Sequence, residues 1–370
     1  MQADEPFMQQ ALALARQAIG LSEPNPRVGC VIVSADGQSV LGQGHTQPAG
    51  QAHAEIMALS DAHARGRNVT GATAYVTLEP CSHQGRTGPC CDALAAAGIA
   101  RVVAALPDPN PLVAGQGIAR LRAAGVQVDL GPGAAQSREL NIGFFSRMIR
   151  RMPWVRMKVA ASLDGRTALD NGASQWITGE AARTDGHAWR ARASAVLTGI
   201  GTVLQDDPRL DVRHVPATRQ PDVVVVDSRL ETPPNSKLFL PGRRLFIYTA
   251  ERDCPRQGAL EARGATVICL SGALGKVDLA AMLRDLAQRE VNELHVEAGY
   301  KLNGSLMREG LVDELLIYLA PKMLGQGQGM AHLGAFTDLA QAAQFEFVSC
   351  DRVGDDLRLL ARVPGRDKVQ

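Results

Sequence analysis

Residues 53–55 read His-Ala-Glu, and residues 79–91 read Glu-Pro-Cys-Ser-His-Gln-Gly-Arg-Thr-Gly-Pro-Cys-Cys. The first segment offers an imidazole at His53, and the second offers thiols at Cys81 and Cys90. A catalytic zinc ion takes three protein ligands of this nitrogen and sulfur type and keeps a fourth position for water. The two segments therefore predict one catalytic zinc site, with these three side chains as its ligands.

Glu55 lies two residues after His53 and is not needed as a ligand, so it is free to act as a general acid/base. The order H-x-E followed by P-C-x-x-C is typical of zinc deaminases, in which a glutamate moves the protons. Here eight residues instead of two separate Cys81 from Cys90. The segments therefore predict a hydrolytic deaminase with an extended cysteine loop.

Two neighbours of these ligands have other interpretations. Cys91 follows Cys90 in a predicted helix, where adjacent side chains point roughly 100° apart, so we expect Cys91 to pack and not to bind the metal. His83 lies between the two thiols, and we interpret it as an alternative ligand, a substrate contact or a solvent-exposed residue. Pro89 suits the first turn of a helix, and a helix N-terminus favours the thiolate form of Cys90.

Length and charge limit the class of protein. A chain of 370 residues exceeds the size of one hydrophobic core, so we expect two domains. Residues 1–148 hold ten arginines, no lysine and eleven acidic residues, and residues 149–370 carry a net charge of +2. Neither half has the charge of a polyanion-binding protein. The N-terminal segment is acidic where a signal peptide would be basic, and no apolar run approaches the ~20 residues of a membrane span.

Strand and helix patterns alternate along both halves, which predicts α/β domains with largely parallel sheets. Strands are expected at 28–33, 40–44, 72–78, 101–106, 154–165, 194–201, 222–227, 243–250, 264–270, 293–299 and 313–321, and helices at about 5–20, from 53, 91–98, 278–290 and from 300. A further helix followed by a strand is expected within 117–130. The boundary is expected near residues 145–153, where Pro153 follows a basic segment. A G-x-G-x-x-G placed after a strand is absent from the sequence, so a standard Rossmann fingerprint is not expected.

Further motifs accompany the zinc segments. They are Pro24-Asn25-Pro26, Val28-Gly29-Cys30, Gly85-Arg86-Thr87 and Asp108-Pro109-Asn110-Pro111 in the first half, and Ser162-Leu163-Asp164-Gly165-Arg166 in the second. With these motifs, the chain resembles the bifunctional riboflavin-biosynthesis deaminase/reductase family over both halves. The long cysteine spacing with its Gly-Arg-Thr insert looks specific to this deaminase branch. Members usually carry two prolines before the second thiol, and Gly88 replaces the first here.

The resemblance implies a fold and a pair of reactions. Residues 1–148 would form a cytidine-deaminase-like three-layer domain that binds zinc, and residues 149–370 a dihydrofolate-reductase-like α/β domain that uses NADPH. The substrate would be 2,5-diamino-6-(5-phosphoribosylamino)pyrimidin-4(3H)-one, which is deaminated at its 2-amino group. The ribosyl group would then be reduced to ribityl. The family also implies a homo-oligomer, a dimer or tetramer formed through the reductase half.

The same resemblance implies the remaining site residues. Asn25 and His83 would line the base pocket of the deaminase. Candidate NADPH contacts are Ala160, Trp176, Thr202 and Asp206 in a loop at 201–208, Ser228, and the segment Gly299, Tyr300, Lys301, Leu302, Asn303, Gly304, Ser305. Candidate substrate contacts in the second half are Ser174, Arg190, Leu210, Arg213 and Glu297. Two arginines suit a ribose phosphate, because a guanidinium group matches phosphate oxygens bidentately. Lys158 is a further candidate near the reacting carbon.

Other functions remain as alternatives. A deaminase acting on transfer RNA or single-stranded DNA would need a basic groove with stacking aromatic residues, whereas the first half is lysine-free and only 4% of the chain is aromatic. One half could have lost its activity, although both sets of motifs are intact. A structural zinc module would need four protein ligands. We expect neither a nucleic-acid nor a membrane partner, and an odd count of seven cysteines suits reduced thiols in the cytoplasm.

Overall fold

A computed structural model describes residues 4–83, 88–111, 114–252 and 255–368. The chain divides into two compact units, residues 1–150 and 151–370. The last helix of the first unit runs to Arg150, so the division falls two residues after residue 148 and within the segment 145–153. None of the helices in the described residues is long and apolar enough to cross a bilayer.

The first unit is an α/β sandwich. Its elements are α1 (Glu5–Arg16), β1 (Gly29–Val33), β2 (Val40–His45), α2 (Ala54–Ala64), β3 (Thr73–Val76), α3 (Cys90–Ala96), β4 (Arg101–Ala104), α4 (Gln116–Ala123), β5 (Gln127–Leu130), α5 (Ala134–Leu140) and α6 (Ile142–Arg150). The strands form one sheet in the order β2-β1-β3-β4-β5. The pairs β3–β4 and β4–β5 are parallel, but β1 is antiparallel to both its neighbours. The largely parallel sheet predicted for this half is therefore only half parallel.

Small residues let two helices lie close to this sheet. A methyl group on Gly29 of β1 would lie 1.9 Å from the carbonyl oxygen of Ala11 in α1, and one on Gly42 of β2 would lie 2.2 Å from that of Ala58 in α2. Every residue of β1 is buried, as expected for a central strand covered on both faces. This close packing fixes α2, whose first turn carries the segment at 53–55.

The second unit is a larger α/β domain. Its elements are β6 (Trp154–Ser162), β7 (Arg166–Leu169), α7 (Glu180–Arg192), β8 (Ala195–Gly199), α8 (Ile200–Asp206), β9 (Asp222–Val226), β10 (Leu245–Thr249), α9 (Gln257–Glu261), β11 (Ala265–Cys269), α10 (Leu279–Gln288), β12 (Glu293–Val296), α11 (Tyr300–Arg308), β13 (Glu314–Ala320), β14 (Gly327–Gly329), β15 (Glu346–Val353) and β16 (Asp356–Arg362).

A nine-stranded sheet organises this unit, in the order β11-β10-β9-β8-β12-β6-β13-β16-β15. The strands are parallel from β11 through β13, and the β15–β16 hairpin extends the sheet in antiparallel pairing. Alternate residues of β9 pack on opposite faces: Val224 joins one buried cluster, while Val223 and Val225 join another. Because both faces are covered, the strand is a continuous apolar run.

The order of the strands creates a switch point. The chain passes from β6 to β8 and outward to β11, and then returns as β12 between β8 and β6. In open parallel sheets, ligands bind outside the carboxyl ends of the strands at such a point. The loops that follow β6, β8 and β12 are therefore where a site is expected in this unit.

One predicted local structure is wrong. Residues 201–208 are expected to be a loop, but α8 covers Ile200–Asp206. Its C-cap residue is Asp207, whose φ is 41°. The short amphipathic segment GTVL carries one buried residue, Val203, so its pattern was too weak to indicate a helix. The sequence patterns also failed to indicate α5, α6, α7, α9, β7, β14 and the β15–β16 hairpin.

Candidate active sites

Three side chains converge in the first unit. The Nδ1 atom of His53 lies 3.5 Å from the Sγ atom of Cys81 and 3.4 Å from that of Cys90. The three donor atoms all lie within 4.8 Å of one another. One imidazole and two thiols are a donor set that zinc prefers, so these residues fit a zinc ion. Among the described residues, this is the only such group of three histidine, cysteine or acidic side chains.

Two helix N-termini hold these donors in place. His53 is the extended N-cap residue of α2, with φ −77° and ψ 168°. Cys90 is the first residue of α3, after the N-cap Pro89. The backbone N–H of Cys90 donates a hydrogen bond to the Sγ atom of Cys81 at 3.4 Å. Hydrogen bonds from the Cys90 thiol and from His53 add to this one and lower the pKa of Cys81 to about 4, which favours the thiolate that a metal needs.

Glu55 lies in the first turn of α2 and is 3% exposed. Burial, followed by the charge of Cys81, raises its pKa to about 7. The carboxyl group can therefore both accept and release a proton near neutral pH, as a general acid/base requires. The thiol of Cys30 is fully buried, and burial raises its pKa. The charge of the nearby Glu55 raises the pKa of Cys30 further.

The neighbouring residues take separate positions. Cys91 is 1% exposed and belongs to the buried cluster of this unit, as expected for a packing residue. The Nδ1 atom of His83 is buried and has no hydrogen-bond partner among the described residues. The backbone of Asn25 is held by two hydrogen bonds with Ser22, and its role in the base pocket stays a prediction. The Gly85-Arg86-Thr87 motif lies outside the described residues.

A buried carboxylate that sequence reasoning missed supports the cysteine loop. Glu79 is 3% exposed, and its oxygens accept hydrogen bonds from the backbone N–H groups of Asp108, Gly115 and Ile118, at 3.1, 2.9 and 3.1 Å. A methyl group on Gly117 would lie 2.0 Å from the carbonyl oxygen of Pro80. The segment that begins with the Asp108-Pro109-Asn110-Pro111 motif is thus bound directly to the residues that precede Cys81.

The second unit has a cleft of about 290 Å³ at the switch point of its sheet. Predicted site residues that line it are Ala160, Ser174, Trp176, Thr202, Asp206, Glu297, Gly299, Tyr300 and Asn303. Gly299 is the N-cap residue of α11, so the start of this helix lines the cleft. Asn303 donates a hydrogen bond to the carbonyl oxygen of Met330 at 3.1 Å, and its buried Oδ1 atom has no partner among the described residues.

A second cleft of about 350 Å³ adjoins the first. Its lining is Lys158, Trp176, Glu180, Arg183, Thr184, Gly186, His187, Arg190, Arg213, His214 and Glu297. Lys158, Trp176, Arg183 and Glu297 line both clefts. The Arg183 guanidinium lies 4.6 Å from the centre of the Trp176 ring, within the distance of a cation–π contact. Two ligands bound side by side would therefore meet at these shared residues.

Glu297 lines both clefts and forms ion pairs with two basic residues. Its carboxylate accepts hydrogen bonds from two nitrogens of Arg190 and lies 3.7 Å from the Nζ atom of Lys158. The Nε2 atom of the buried His295 lies 3.5 Å away. Burial of this carboxyl group opposes its ionisation, but Arg190 and Lys158 together hold the pKa of Glu297 well below its usual range.

Six predicted site residues do not line either cleft. Ser228 accepts a hydrogen bond from the backbone N–H of Val277 at 3.3 Å, and Leu210 is 4% exposed in a buried cluster. A methyl group on Gly304 would lie 2.1 Å from the carbonyl oxygen of His332, so this glycine permits close packing. The other three are Lys301, Leu302 and Ser305 on α11. Three residues that line the second cleft are not among the predicted contacts: Arg183, His187 and His214. Lys158 also lines it and is predicted only as a further candidate.

Comparison with known proteins agrees with this geometry. A family model described as the cytidine and deoxycytidylate deaminase zinc-binding region matches residues 1–106, and one described as the RibD C-terminal domain matches residues 153–359. The riboflavin biosynthesis protein RibD of Escherichia coli is 44% identical over 96% of this chain and 98% of its own length. The chain belongs to the RibD family. It is therefore a bifunctional deaminase and reductase of riboflavin biosynthesis.

Solved structures of RibD proteins match this chain over nearly its full length. RibD of Acinetobacter baumannii is 40% identical and superposes with a TM-score of 0.89, covering 98% of this chain and 99% of that one. A diaminohydroxyphosphoribosylaminopyrimidine deaminase/5-amino-6-(5-phosphoribosylamino)uracil reductase of Thermotoga maritima is 30% identical, with a TM-score of 0.87 and the same coverage. The predicted fold class, a cytidine-deaminase-like domain followed by a reductase α/β domain, is confirmed.

Proposed function

We propose that this member of the RibD family deaminates 2,5-diamino-6-(5-phosphoribosylamino)pyrimidin-4(3H)-one and then reduces the ribosyl group of the product to ribityl with NADPH. The name of the Thermotoga maritima relative combines a diaminohydroxyphosphoribosylaminopyrimidine deaminase with a 5-amino-6-(5-phosphoribosylamino)uracil reductase, which supports the proposal. The observation that carries the proposal is the convergence of His53, Cys81 and Cys90 beside a buried Glu55. The adjoining clefts of the second unit support the reduction.

In the deaminase unit, His53, Cys81 and Cys90 would hold one zinc ion. Zinc bound there would lower the pKa of water, so that hydroxide becomes available at neutral pH. Glu55 takes up the first proton that water loses and passes it to the ring nitrogen. It then moves the second proton, from the added hydroxyl group, to the amine, which leaves as ammonia. The amine-bearing carbon gains an oxygen from water and loses ammonia. Asn25 and His83 are proposed to orient the base.

In the reductase unit, we propose that NADPH occupies the cleft lined by Ala160, Trp176, Thr202, Asp206 and the start of α11. Bound NADPH supplies the hydride. The helix start offers backbone N–H groups that suit a pyrophosphate. Ser228, Lys301, Leu302, Gly304 and Ser305, which the family resemblance includes, stay proposed contacts of the cofactor.

We propose that the ribose phosphate occupies the second cleft. Its described lining has four basic side chains, Lys158, Arg183, Arg190 and Arg213, against the carboxylates of Glu180 and Glu297. This gives a net charge of +2 when the histidines are neutral, which complements a phosphate monoester of about −1.5 to −2 at pH 7. The reacting carbon would then lie near Lys158 and Glu297, the residues that both clefts share.

We also propose one zinc ion per chain, a cytoplasmic location and assembly as a dimer or tetramer through the reductase unit. The six cysteines in the described part of the chain are all free, which supports a reducing compartment. Sedimentation of the zinc-loaded protein tests the assembly.

Mass spectrometry of the reaction tests the two-step proposal. Zinc-loaded protein is incubated with the diaminopyrimidine phosphate, with and without NADPH. The substrate should gain about one dalton on deamination, since an oxygen replaces an NH group. It should gain about two more only with NADPH, since one hydride and one proton are added. If the first shift does not occur, the proposed substrate is wrong.

A further inference from the structure

Two histidines of the second cleft have no role in the proposed reaction. His187 lies on α7, and His214 follows Arg213. Their rings meet edge to face, with centroids 4.5 Å apart and planes at 77°. Both side chains line the same cleft as Arg190 and Arg213. Because His187 and Arg190 are three residues apart on a helix, they project from the same face.

The arginines of this cleft are already partly engaged within the protein. Two nitrogens of Arg190 donate to Glu297, and its Nη1 atom donates to the carbonyl oxygen of Asp211 at 3.1 Å. Arg213 donates to the carboxylate of Asp211, which Arg209 also contacts. A phosphate bound here would therefore compete with two carboxylates for guanidinium donors, and it would gain from a donor that has no other partner.

His187 is such a donor. Its side chain is buried, with 5% of the residue exposed, and its Nδ1 atom has no hydrogen-bond partner among the described residues. Leaving a buried polar atom unpaired is unfavourable, so nitrogen atoms of this kind are usually paired or meet a ligand. His187 is a lining residue of a cleft whose charged side chains are mostly cationic, which points to an anionic ligand.

We infer that His187 recognises the phosphate group of the reductase substrate by donating a hydrogen bond from Nδ1, with His214 holding its ring in place. The inference rests on the proposed function, which puts the phosphate in this cleft. Burial, followed by the charges of Arg190 and Arg213, lowers the pKa of His187 to about 4. The ring is therefore neutral at pH 7, and its N–H can donate without adding a charge beside the arginines.

Kinetics with matched substrates test this specificity. The deaminated pyrimidinedione is supplied with and without its 5′-phosphate, and NADPH oxidation is followed for the zinc-loaded wild type and for His187→Leu, His187→Gln and Arg213→Ala. His187→Leu should raise KM for the phosphorylated substrate by about 10- to 100-fold, as for loss of a hydrogen bond to a charged group. Its kcat, and its KM for the dephosphorylated substrate, should change less than about twofold. His187→Gln keeps an N–H donor and should recover most of the affinity.

A measurement on the unaltered chain complements the kinetics. Histidine labelled with ¹⁵N is incorporated, and inorganic phosphate is added to the wild type. The Nδ1 resonance of His187, assigned by its absence in His187→Gln, should shift with phosphate and not with chloride at equal ionic strength. This readout does not depend on the folding of the leucine variant.

The outcomes distinguish a failure of the role of His187 from a failure of the proposed phosphate position. If Arg213→Ala impairs only the phosphorylated substrate while His187→Leu impairs both substrates equally or neither, the role of His187 is wrong and the phosphate position stands. If Arg213→Ala also makes no distinction between the two substrates, the phosphate does not bind in this cleft and both ideas fail. An unchanged Nδ1 resonance with saturating phosphate likewise overturns the role of His187.

Discussion

The backbone N–H of Cys90 donates a hydrogen bond to the Sγ atom of Cys81, with nitrogen and sulfur 3.4 Å apart. The residue that supplies one predicted ligand thus also stabilises the thiolate of another. This contact requires Cys90 to begin α3, because only the first N–H groups of a helix are free to bond outside it. The two cysteines that bound the eight-residue segment are therefore in direct contact.

Zinc content should distinguish Cys81 from Cys91. Cys81→Ser replaces a soft thiolate with a hydroxyl that is not deprotonated at pH 7, so bound zinc should fall from one per chain to a small fraction. Cys91→Ala is the matched control, because this thiol is buried in the core and should leave zinc content unchanged. Atomic absorption of the dialysed proteins measures both. Full zinc in Cys81→Ser, or a loss in Cys91→Ala, would contradict the ligand assignment.

Substitution of Glu55 should separate metal binding from proton transfer. Glu55→Gln keeps the shape of the side chain but cannot accept a proton, so deamination should slow by about 10²- to 10⁴-fold. Zinc content should equal that of the wild type. NADPH-dependent reduction of the already deaminated substrate provides the internal control, since it needs only the second unit. A glutamine variant with more than a tenth of the deaminase activity would rule out the assigned role.

Glu79 should contribute to stability through its backbone contacts. Glu79→Gln leaves one carbonyl oxygen to serve three N–H donors and buries an amide group in place of a carboxylate. We expect the deaminase unit to lose about 2 kcal/mol, since hydrogen bonds to charged groups contribute about 1.5–3 kcal/mol each. Urea unfolding of the zinc-free protein, followed by a probe in the first unit, measures the change.

Glu5→Gln is the control for Glu79, because Glu5 is exposed and bonds only to the Gln9 side chain among the described residues. Its free energy of unfolding should stay within about 0.5 kcal/mol of the wild type. If both variants are equally stable, the carboxylate of Glu79 does not anchor the segment at 108–118.

The zinc site could be predicted from sequence because its chemistry restricts the residue types. Few side chains other than histidine and cysteine bind zinc in this way, so His53, Cys81 and Cys90 stand out even though the first two lie 28 positions apart in the sequence. Glu79 could not be found in the same way. Its partners are backbone N–H groups 29 to 39 residues away, and a backbone group carries no signal in the sequence.

The clefts of the second unit also could not be predicted from sequence patterns. Its clefts are built from the ends of β6, β8 and β12, which lie side by side only because β12 returns between the other two. The sequence patterns predict these three strands but not their order in the sheet. The family resemblance supplied Trp176, Arg190 and Glu297, whereas Arg183, His187 and His214 became visible only when the sheet brought α7 and the 213–214 segment together.

Two glycines of the 299–305 segment should behave differently. Gly304→Ala would put a methyl group 2.1 Å from the carbonyl oxygen of His332, so we expect a loss of about 3 kcal/mol from forced rearrangement. The nearest atom to a methyl group on Gly299 is Thr202 Oγ1 at 3.9 Å. Gly299→Ala should therefore fold normally and raise KM for NADPH. Thermal unfolding and NADPH kinetics measure the pair, and equal stabilities would contradict the packing role of Gly304.

Acid should destabilise the second unit through His187. Burial and the charges of Arg190 and Arg213 lower its pKa to about 4 in the folded protein, whereas an unfolded histidine titrates at about 6.5. Between these values the unfolded chain binds more protons than the folded one, so stability falls as the pH falls from 6.5 towards 4. The decrease due to one proton cannot exceed about 1.4 kcal/mol per pH unit. In His187→Gln this part of the pH dependence should disappear.

The measurement compares unfolding of the second unit in wild type and His187→Gln at intervals from pH 7.5 to pH 4. The difference in free energy of unfolding should be constant above about pH 7, where histidine is neutral in both states. Below that it should shift steadily in favour of the glutamine variant. His214→Gln is the comparison, because it removes the other histidine of the same cleft and keeps His187 itself. A difference between wild type and His187→Gln that does not vary with pH would show that His187 is protonated equally in both states.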